Sequence, residues 1–115
     1  MTAITEFLHL VGQLEEVGIV EHSRYSKFEV RGRTFGYLWE PTRTVGLKQT
    51  LAEQVALVAE RPEVFELQFT AGGFGWVVVH LDRIDRSELA ELTYEAWRLS
   101  APVRLARQRG DRLPD

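Results

Sequence analysis

Trp76-Val77-Val78-Val79-His80-Leu81 is the most strongly strand-forming segment of this 115-residue chain. Its β-branched and aromatic residues are typical of a β-strand, and its continuous apolar character indicates a central position in a sheet. The preceding Ala71-Gly72-Gly73-Phe74-Gly75 is typical of a hairpin turn, and Phe65, Leu67 and Phe69 alternate before that turn. The sequence therefore predicts two antiparallel strands joined by a glycine-rich turn.

A second region, towards the N-terminus, also has the period of two that strands show. Arg31-Gly32-Arg33 and Glu40-Pro41-Thr42-Arg43 interrupt the pattern as predicted turns, and Thr44–Lys48 resumes it. Short turns between consecutive strands predict an antiparallel meander, with a further short strand near Val20–Arg24. The alternating apolar positions are Phe28, Val30, Phe35, Tyr37 and Trp39.

Three other segments have apolar residues spaced by three and four, as in amphipathic helices. Thr2 or Thr5 is the expected cap of the first helix, and Gly18 its expected end. Thr50 and Glu53 match a capping box at the start of the second helix, and the residue before Pro62 avoids the helical region. The predicted helices cover 4–17, Thr50 to Arg61, and the segment between Asp85 and Pro102.

The resulting order of elements is α-β-β-β-α-β-β-α, with a further short strand near Val20–Arg24. Because runs of strands separate the helices, this order predicts an α+β fold with two layers. We expect an antiparallel sheet of about five to six strands with helices packed on it, and not a doubly wound parallel sheet. Residues 1–103 are predicted to form a single domain, and residues 104–115 a polar, flexible tail.

Composition excludes several classes of site. The chain has no cysteine, which excludes disulfides, a thiol nucleophile and thiolate-bound zinc. No apolar run approaches the roughly 18 residues of a membrane-spanning helix, so we expect no membrane partner. The N-terminus has an early acid and no basic start, unlike a secretory signal, and this predicts a cytoplasmic location.

Residues with catalytic or phosphate-binding potential do not form a recognisable set. His80 and Asp82 are two apart and could face the same way at a strand end, but a third ligand at a known spacing is missing. Gly72, Gly73 and Gly75 precede a strand, whereas a phosphate-binding loop leads into a helix. We therefore predict no enzymatic activity, no metal and no cofactor, and expect His80 to be a hydrogen-bonded residue at a sheet edge.

A binding surface is the remaining candidate, although the formal net charge is −3. Basic side chains lie on or beside the predicted hairpins, where they could neutralise phosphates, and Phe35, Tyr37 and Trp39 interleave with them and could stack on bases. An aromatic residue at every second position is also what a core-facing strand needs, and we favour core packing for these three. The candidate nucleic-acid-binding residues are Lys27, Arg31, Arg33, Arg43 and Lys48.

Several segments together resemble the MmcQ/YjbR-like family. Lys27–Phe35 is similar to the family's hairpin with a glycine and a basic residue at its turn, and Val45–Lys48 to its hydrophobic strand ending in lysine. Gly75–Leu81 resembles its tryptophan-led strand, and Glu88–Leu99 its last helix. The resemblance covers roughly residues 5–103, with all segments in the family's order.

The resemblance implies a two-layer fold similar to secretion-chaperone-like domains, in a small bacterial cytoplasmic protein without a catalytic motif. Members are often labelled DNA-binding because of a proposed double-wing arrangement of hairpins. Lys48 matches the family directly, and Arg33 stands where lysine is usual. Gly36 and Trp97 depart from the alanine and tyrosine that are commoner in the family.

From the sequence we therefore expect a non-enzymatic, monomeric domain that binds DNA through its basic hairpins. The alternative is a protein- or peptide-binding adaptor that uses a face or an edge of the sheet. Clustering of the five basic side chains on one exposed face would favour DNA. A large exposed apolar patch would favour the adaptor, and a deep polar pocket beside His80 would favour an enzyme.

Overall fold

The computed structural model describes all residues from 1 to 115 and contains one antiparallel six-stranded sheet. Neighbouring strands follow the order β1-β2-β3-β4-β6-β5. This architecture confirms the α+β class, and the sixth strand is the short one expected near Val20–Arg24. The strands are β1 (Val17–Glu21), β2 (Ser26–Val30), β3 (Arg33–Trp39), β4 (Thr44–Thr50), β5 (Phe65–Ala71) and β6 (Phe74–His80); the helices are α1 (Ile4–Gly12), α2 (Leu51–Glu60), α3 (Arg86–Ser100) and α4 (Val103–Arg109).

The hydrophobic core lies between one face of this sheet and the helices. Helix α3 packs against β3 and β4, α2 packs against β5 and β6, and α1 packs against α3. Phe7 of α1 contacts Phe28 of β2 edge to face, with 5.5 Å between the ring centroids. Leu47 and Val77 are cross-strand partners that are both fully buried in this core. The helices therefore cover one face of the sheet and leave the other uncovered; we call the uncovered side the open face.

Two tight turns give the sheet its hairpins. Arg31 and Gly32, with φ of 51° and 79°, join β2 to β3, and Gly72 and Gly73, with φ of 57° and 83°, join β5 to β6. Positive φ at both central residues is the signature of the type I′ turn, whose twist matches that of the flanking strands. Both turns lie where the sequence predicts them.

Local hydrogen bonds fix the starts of two helices as predicted. The Glu53 N–H donates to the Thr50 hydroxyl at 3.1 Å, and the Glu88 N–H donates to the Asp85 carboxylate at 2.8 Å. Each bond satisfies one of the amide groups that a helix N-terminus leaves without an internal partner. Helix α2 also ends at Glu60, ahead of Arg61-Pro62, as expected.

The first helix begins at Ile4 as predicted, but its predicted cap and its predicted end are wrong. Ala3, and neither Thr2 nor Thr5, occupies the cap position, and its N–H donates to the Glu6 carboxylate at 3.0 Å. Thr2 is fully buried, and its hydroxyl donates to the Ile84 carbonyl at 2.8 Å. The helix ends at Gly12, and Gly18 lies inside β1, because residues 17–21 pair with β2. Strand pairing overrides the helical spacing there.

The C-terminal segment is also more structured than a polar tail. Pro102 caps α4, and Gly110, with φ of 70°, follows its end. Leu105 and Arg109 of this helix are buried. The Arg109 guanidinium donates to the Gln13 carbonyl at 3.0 Å and to the Glu15 carboxylate at 2.7 Å. The helix forms because a buried arginine with these acceptors ties it to the segment that follows α1.

Candidate functional site

The five basic residues predicted from the sequence do not form one patch. Arg31 and Arg43 lie in turns at opposite ends of β3. Arg31 forms a two-pronged ion pair with Glu16, and Arg43 bonds to Asp82 at 2.8 Å. The hydrogen bond from Arg31 holds the pKa of the Glu16 carboxyl below its usual value. These carboxylates offset the charge of both arginines, which weakens their attraction for a phosphate.

The remaining three basic residues have different surroundings. Lys27 pairs with Glu29 on its own strand at 3.3 Å. The Lys48 ammonium donates to the Ser100 hydroxyl at 3.1 Å and lies 4.1 Å from the centroid of the Phe74 ring. Burial lowers the pKa of Lys48, and the positive charge of Arg33 lowers it further. Arg33 and Lys48 are thus close together, and neither has a carboxylate partner.

The open face carries a row of aromatic rings in contact, the aromatic strip, which extends from the β2 side of the sheet to β5. Tyr37 is at its centre, with ring centroids 5.9 Å from Tyr25, 5.7 Å from Trp39 and 5.5 Å from Trp76. Trp76 also contacts Phe69 of β5 at 5.2 Å. Although Trp76 is 6% exposed, it lies outside the hydrophobic core cluster. The strip consists of Tyr25, Tyr37, Trp39, Phe69 and Trp76.

Gly46 on β4 makes the aromatic strip continuous. It lies opposite Tyr37 on one side and Val78 on the other. A Cβ atom at this position would lie 3.1 Å from Cη2 of Trp39 and would overlap Oε1 of Gln68. Because Gly46 has no side chain, the rings from β3 and β6 meet above the middle of the sheet.

A β-bulge explains why sequence reasoning placed Tyr37 and Trp39 in the core. Phe28 is opposite Gly36 and Glu29 is opposite Thr34, so Phe35 is an extra residue in the ladder. Phe35 is fully buried, as expected. The two aromatic residues that follow it face the opposite side of the sheet, because the bulge shifts the alternation by one residue.

Paired polar groups flank the aromatic strip on two sides. Lys27 and Glu29 pair at one side, and His80 hydrogen-bonds to Glu66 at the other. Lys27 is directly opposite Tyr37, and Glu66 is directly opposite Val78. The surface therefore has an aromatic centre with paired polar groups on these two sides. Lys48, opposite Trp76, adds a charge without a carboxylate partner.

His80 and Asp82 do not act as a pair in this arrangement. His80 bonds to Glu66 on β5, whereas Asp82 binds Arg43 in the turn between β3 and β4. No group of three or more histidine, cysteine, aspartate or glutamate side chains lies close enough together to hold a metal ion. Sequence reasoning missed Tyr25, Phe69 and Trp76 as members of the aromatic strip, because only the strand register brings them together.

Comparison with known proteins agrees with this fold. Residues 13–99 match the model of the YjbR family. The chain belongs to the YjbR family. This membership confirms the resemblance inferred from the sequence, and the match spans most of the segments that carried it.

The YjbR-family chain also resembles a solved structure, the crystal structure of Deinococcus radiodurans protein DR2400, which has a DUF419 domain. The TM-score is 0.75 at 17% sequence identity, and the alignment covers 86% of this chain and 78% of the other. Identity at this level supports the fold alone. No curated protein matches the chain. None of its helices combines the length and the apolar character needed to cross a membrane.

Proposed function

We propose that this YjbR-family chain is a non-enzymatic module that binds a segment of another protein on the open face of its sheet. The observation that carries the proposal is the aromatic strip, which no helix covers. Contiguous exposed apolar surface marks interaction sites, and tryptophan and tyrosine are enriched among the residues that dominate binding energy. This is the adaptor alternative of the sequence analysis.

The charge pattern favours a protein partner over a nucleic acid. An aromatic centre with a polar rim matches the anatomy of protein interfaces. A polyanion needs unbalanced positive charge over several sites. Lys27 pairs with Glu29, which leaves Lys48 and the nearby Arg33 as a small positive group beside the strip. An extended peptide presents alternate side chains to one side, so we expect a partner segment with apolar residues at alternate positions.

The position of the strip on a sheet also supports binding. Tyr37, Trp39 and Trp76 lie on interior strands, and mutual ring contacts hold them in place. A surface that is ordered before binding loses little conformational entropy when a partner docks. His80 and Asp82 bind separate partners, which supports a non-enzymatic role. The bacterial source and the cytoplasmic location stay predictions from the resemblance and the sequence.

A displayed library of random peptides tests this proposal. Peptides selected on the wild-type chain should bind at least about tenfold more weakly to Phe69→Ser and Trp39→Ala, because each change removes an aromatic contact. Phe69 is already 38% exposed, so its replacement should leave the fold intact. Val55→Ser, at a 65% exposed position of α2, is the matched control and should bind as the wild type does. Equal affinity of all three variants for the selected peptides would exclude the open face as the binding surface.

DNA binding through the hairpins makes a different prediction, which a labelled duplex of about 20 base pairs distinguishes. Each phosphate contact contributes about 1 to the slope of log affinity against log salt. Because Arg31 is paired with Glu16, we expect no salt-dependent binding up to about 50 µM protein, and no effect of Arg31→Ala/Arg33→Ala. Salt-dependent binding that this double variant weakens, together with failure to select any peptide, would replace the adaptor by a DNA-binding function.

A further inference from the structure

Two basic residues, Arg33 and Lys48, lie next to the aromatic strip at the place where strands β3 and β4 separate. The ladder between these strands covers Gly36–Trp39 of β3 and Thr44–Leu47 of β4. Arg33 and Lys48 lie beyond the end of this ladder, one on each strand. Strand β4 continues its pairing with β6 there, so Lys48 lies opposite Trp76 of the strip. Both cations are therefore close to the surface that the aromatic rings form.

The surroundings of Lys48 offer its ammonium no negative charge. The ammonium donates to the Ser100 hydroxyl at 3.1 Å and lies 4.1 Å from the centroid of the Phe74 ring. Burial, followed by the positive charge of Arg33, lowers the pKa of Lys48. An ammonium has three N–H donors, of which the hydroxyl takes one. An anion bound beside both cations would relieve their mutual repulsion and accept from the donors that remain.

We propose that Arg33 and Lys48 bind an acidic side chain, aspartate or glutamate, of the protein segment that docks on the aromatic strip. This inference rests on the proposed function of the open face and adds the charge of the partner. Side chains that face each other across a strand pair, as those of Lys48 and Trp76 do, are about 4.5–5.5 Å apart at Cβ. An extended peptide rises about 3.3 Å per residue. The acidic residue should therefore lie within about two positions of the apolar residue that contacts Trp76.

The other basic residues of the hairpins favour a single carboxylate over the phosphates of a nucleic acid. Lys27, Arg31 and Arg43 are each paired with a carboxylate of this chain. Of the five basic residues predicted as a site, only Arg33 and Lys48 remain without such a partner. A nucleic acid binds through many phosphate contacts spread along its backbone, whereas one carboxylate needs one or two cations. The charge complementarity is therefore that of an acidic side chain within an otherwise apolar segment.

Peptides with a single acidic residue and capped ends test this assignment. Peptides selected on the wild-type chain should contain an acidic residue beside their apolar residues. Replacing that residue by the corresponding amide should weaken binding to the wild type at least about fivefold, because a charge-assisted hydrogen bond is lost. Acetylated and amidated ends leave the side chain as the carboxylate under test. Arg33→Gln/Lys48→Gln should bind both peptides with the affinity that the wild type has for the neutral one.

A basic residue far from the strip supplies the matched control. Arg104→Gln removes one charge at an exposed position of α4 and should prefer the acidic peptide as the wild type does. Arg33 is also exposed, so Arg33→Gln alone should reduce the preference for the acidic peptide without disturbing the contact of Lys48 with Ser100. Circular dichroism confirms that the single and double variants are folded.

The outcomes separate this inference from the function on which it rests. Selected peptides without acidic residues, or an unchanged preference for the acidic peptide in Arg33→Gln/Lys48→Gln, would overturn the inference. Weaker binding to Phe69→Ser and Trp39→Ala would then still support the open face as the docking surface. Equal binding to the wild type and to these two open-face variants would overturn both proposals. Salt-dependent binding of a labelled duplex that the double variant abolishes, without any preference for acidic peptides, would assign the two cations to a nucleic acid instead.

Discussion

Trp97→Ala lowers the free energy of unfolding by about 3–5 kcal/mol, the cost of truncating a large buried aromatic residue. Trp97 of α3 is fully buried and is among the largest side chains of the core. Its indole N–H also donates to the Glu15 carbonyl at 3.0 Å, which ties α3 to the segment before β1. Small domains have only about 5–15 kcal/mol of stability, so this variant should be close to unfolding. Urea denaturation followed by circular dichroism measures the change.

Two further variants separate the contributions of packing and hydrogen bonding at Trp97. Trp97→Phe keeps much of the ring but removes the N–H, and should cost about 1–3 kcal/mol through the unpaired carbonyl and the smaller volume. Trp39→Ala removes a tryptophan from the open face and is the matched control, with a smaller expected loss. A cost for Trp97→Ala no greater than that of Trp39→Ala would contradict the role assigned to α3.

Gly75→Ala should be the second most damaging change, with a loss of about 2–4 kcal/mol from overpacking and broken hydrogen bonds. A Cβ at Gly75 would lie 2.6 Å from Cβ of Gln54 and 2.7 Å from its Cδ. The Gln54 amide is buried and donates to the Phe69 carbonyl at 3.0 Å and the Trp76 carbonyl at 2.9 Å. The methyl group would push this amide away from both carbonyls. Thermal and urea unfolding measure the effect.

The control for Gly75→Ala is a strand glycine with space around it. A Cβ at Gly18 of β1 would meet nothing within 4 Å, so Gly18→Ala should change stability by less than about 0.5 kcal/mol. Gln54→Ala removes the amide that the added methyl group would displace but keeps the Cβ of residue 54. The double variant Gly75→Ala/Gln54→Ala should therefore cost less than the sum of the two single changes, with part of the overpacking left. Additive costs would show that the added methyl group does not displace the Gln54 amide, and equal costs at the two glycines would show that Gln54 does not limit the space.

Much of the fold could be predicted because its signals are local. The continuous β-branched run of β6 and the glycines of its hairpin depend on neighbouring residues alone. The same is true of the cap that Thr50 provides for Glu53, three residues later. A helix boundary at Pro62 follows from the sterics of one peptide unit.

The features that sequence reasoning missed depend on residues far apart in the chain. The bulge at Phe35 exists in the pairing of two strands, and no local pattern marks it. Glu16 pairs with Arg31, 15 residues later in the sequence, and Glu15 pairs with Arg109, 94 residues later. The aromatic strip likewise requires the register of β3, β4, β6 and β5, together with the space above Gly46. These long-range contacts decide where the candidate surface lies.

The contacts of the N-terminal segment have a consequence for synthesis of the chain on the ribosome. Thr2 bonds to residues 81 and 84, and α1 packs on α3. At about 5–20 residues per second, roughly 5–20 s separate the emergence of α1 from that of Trp97. During that interval the apolar side chains of α1 lack their final partner, so they can bind ribosome-associated chaperones or aggregate. Helix α1 is therefore made well before its partner α3 and is among the last elements to dock.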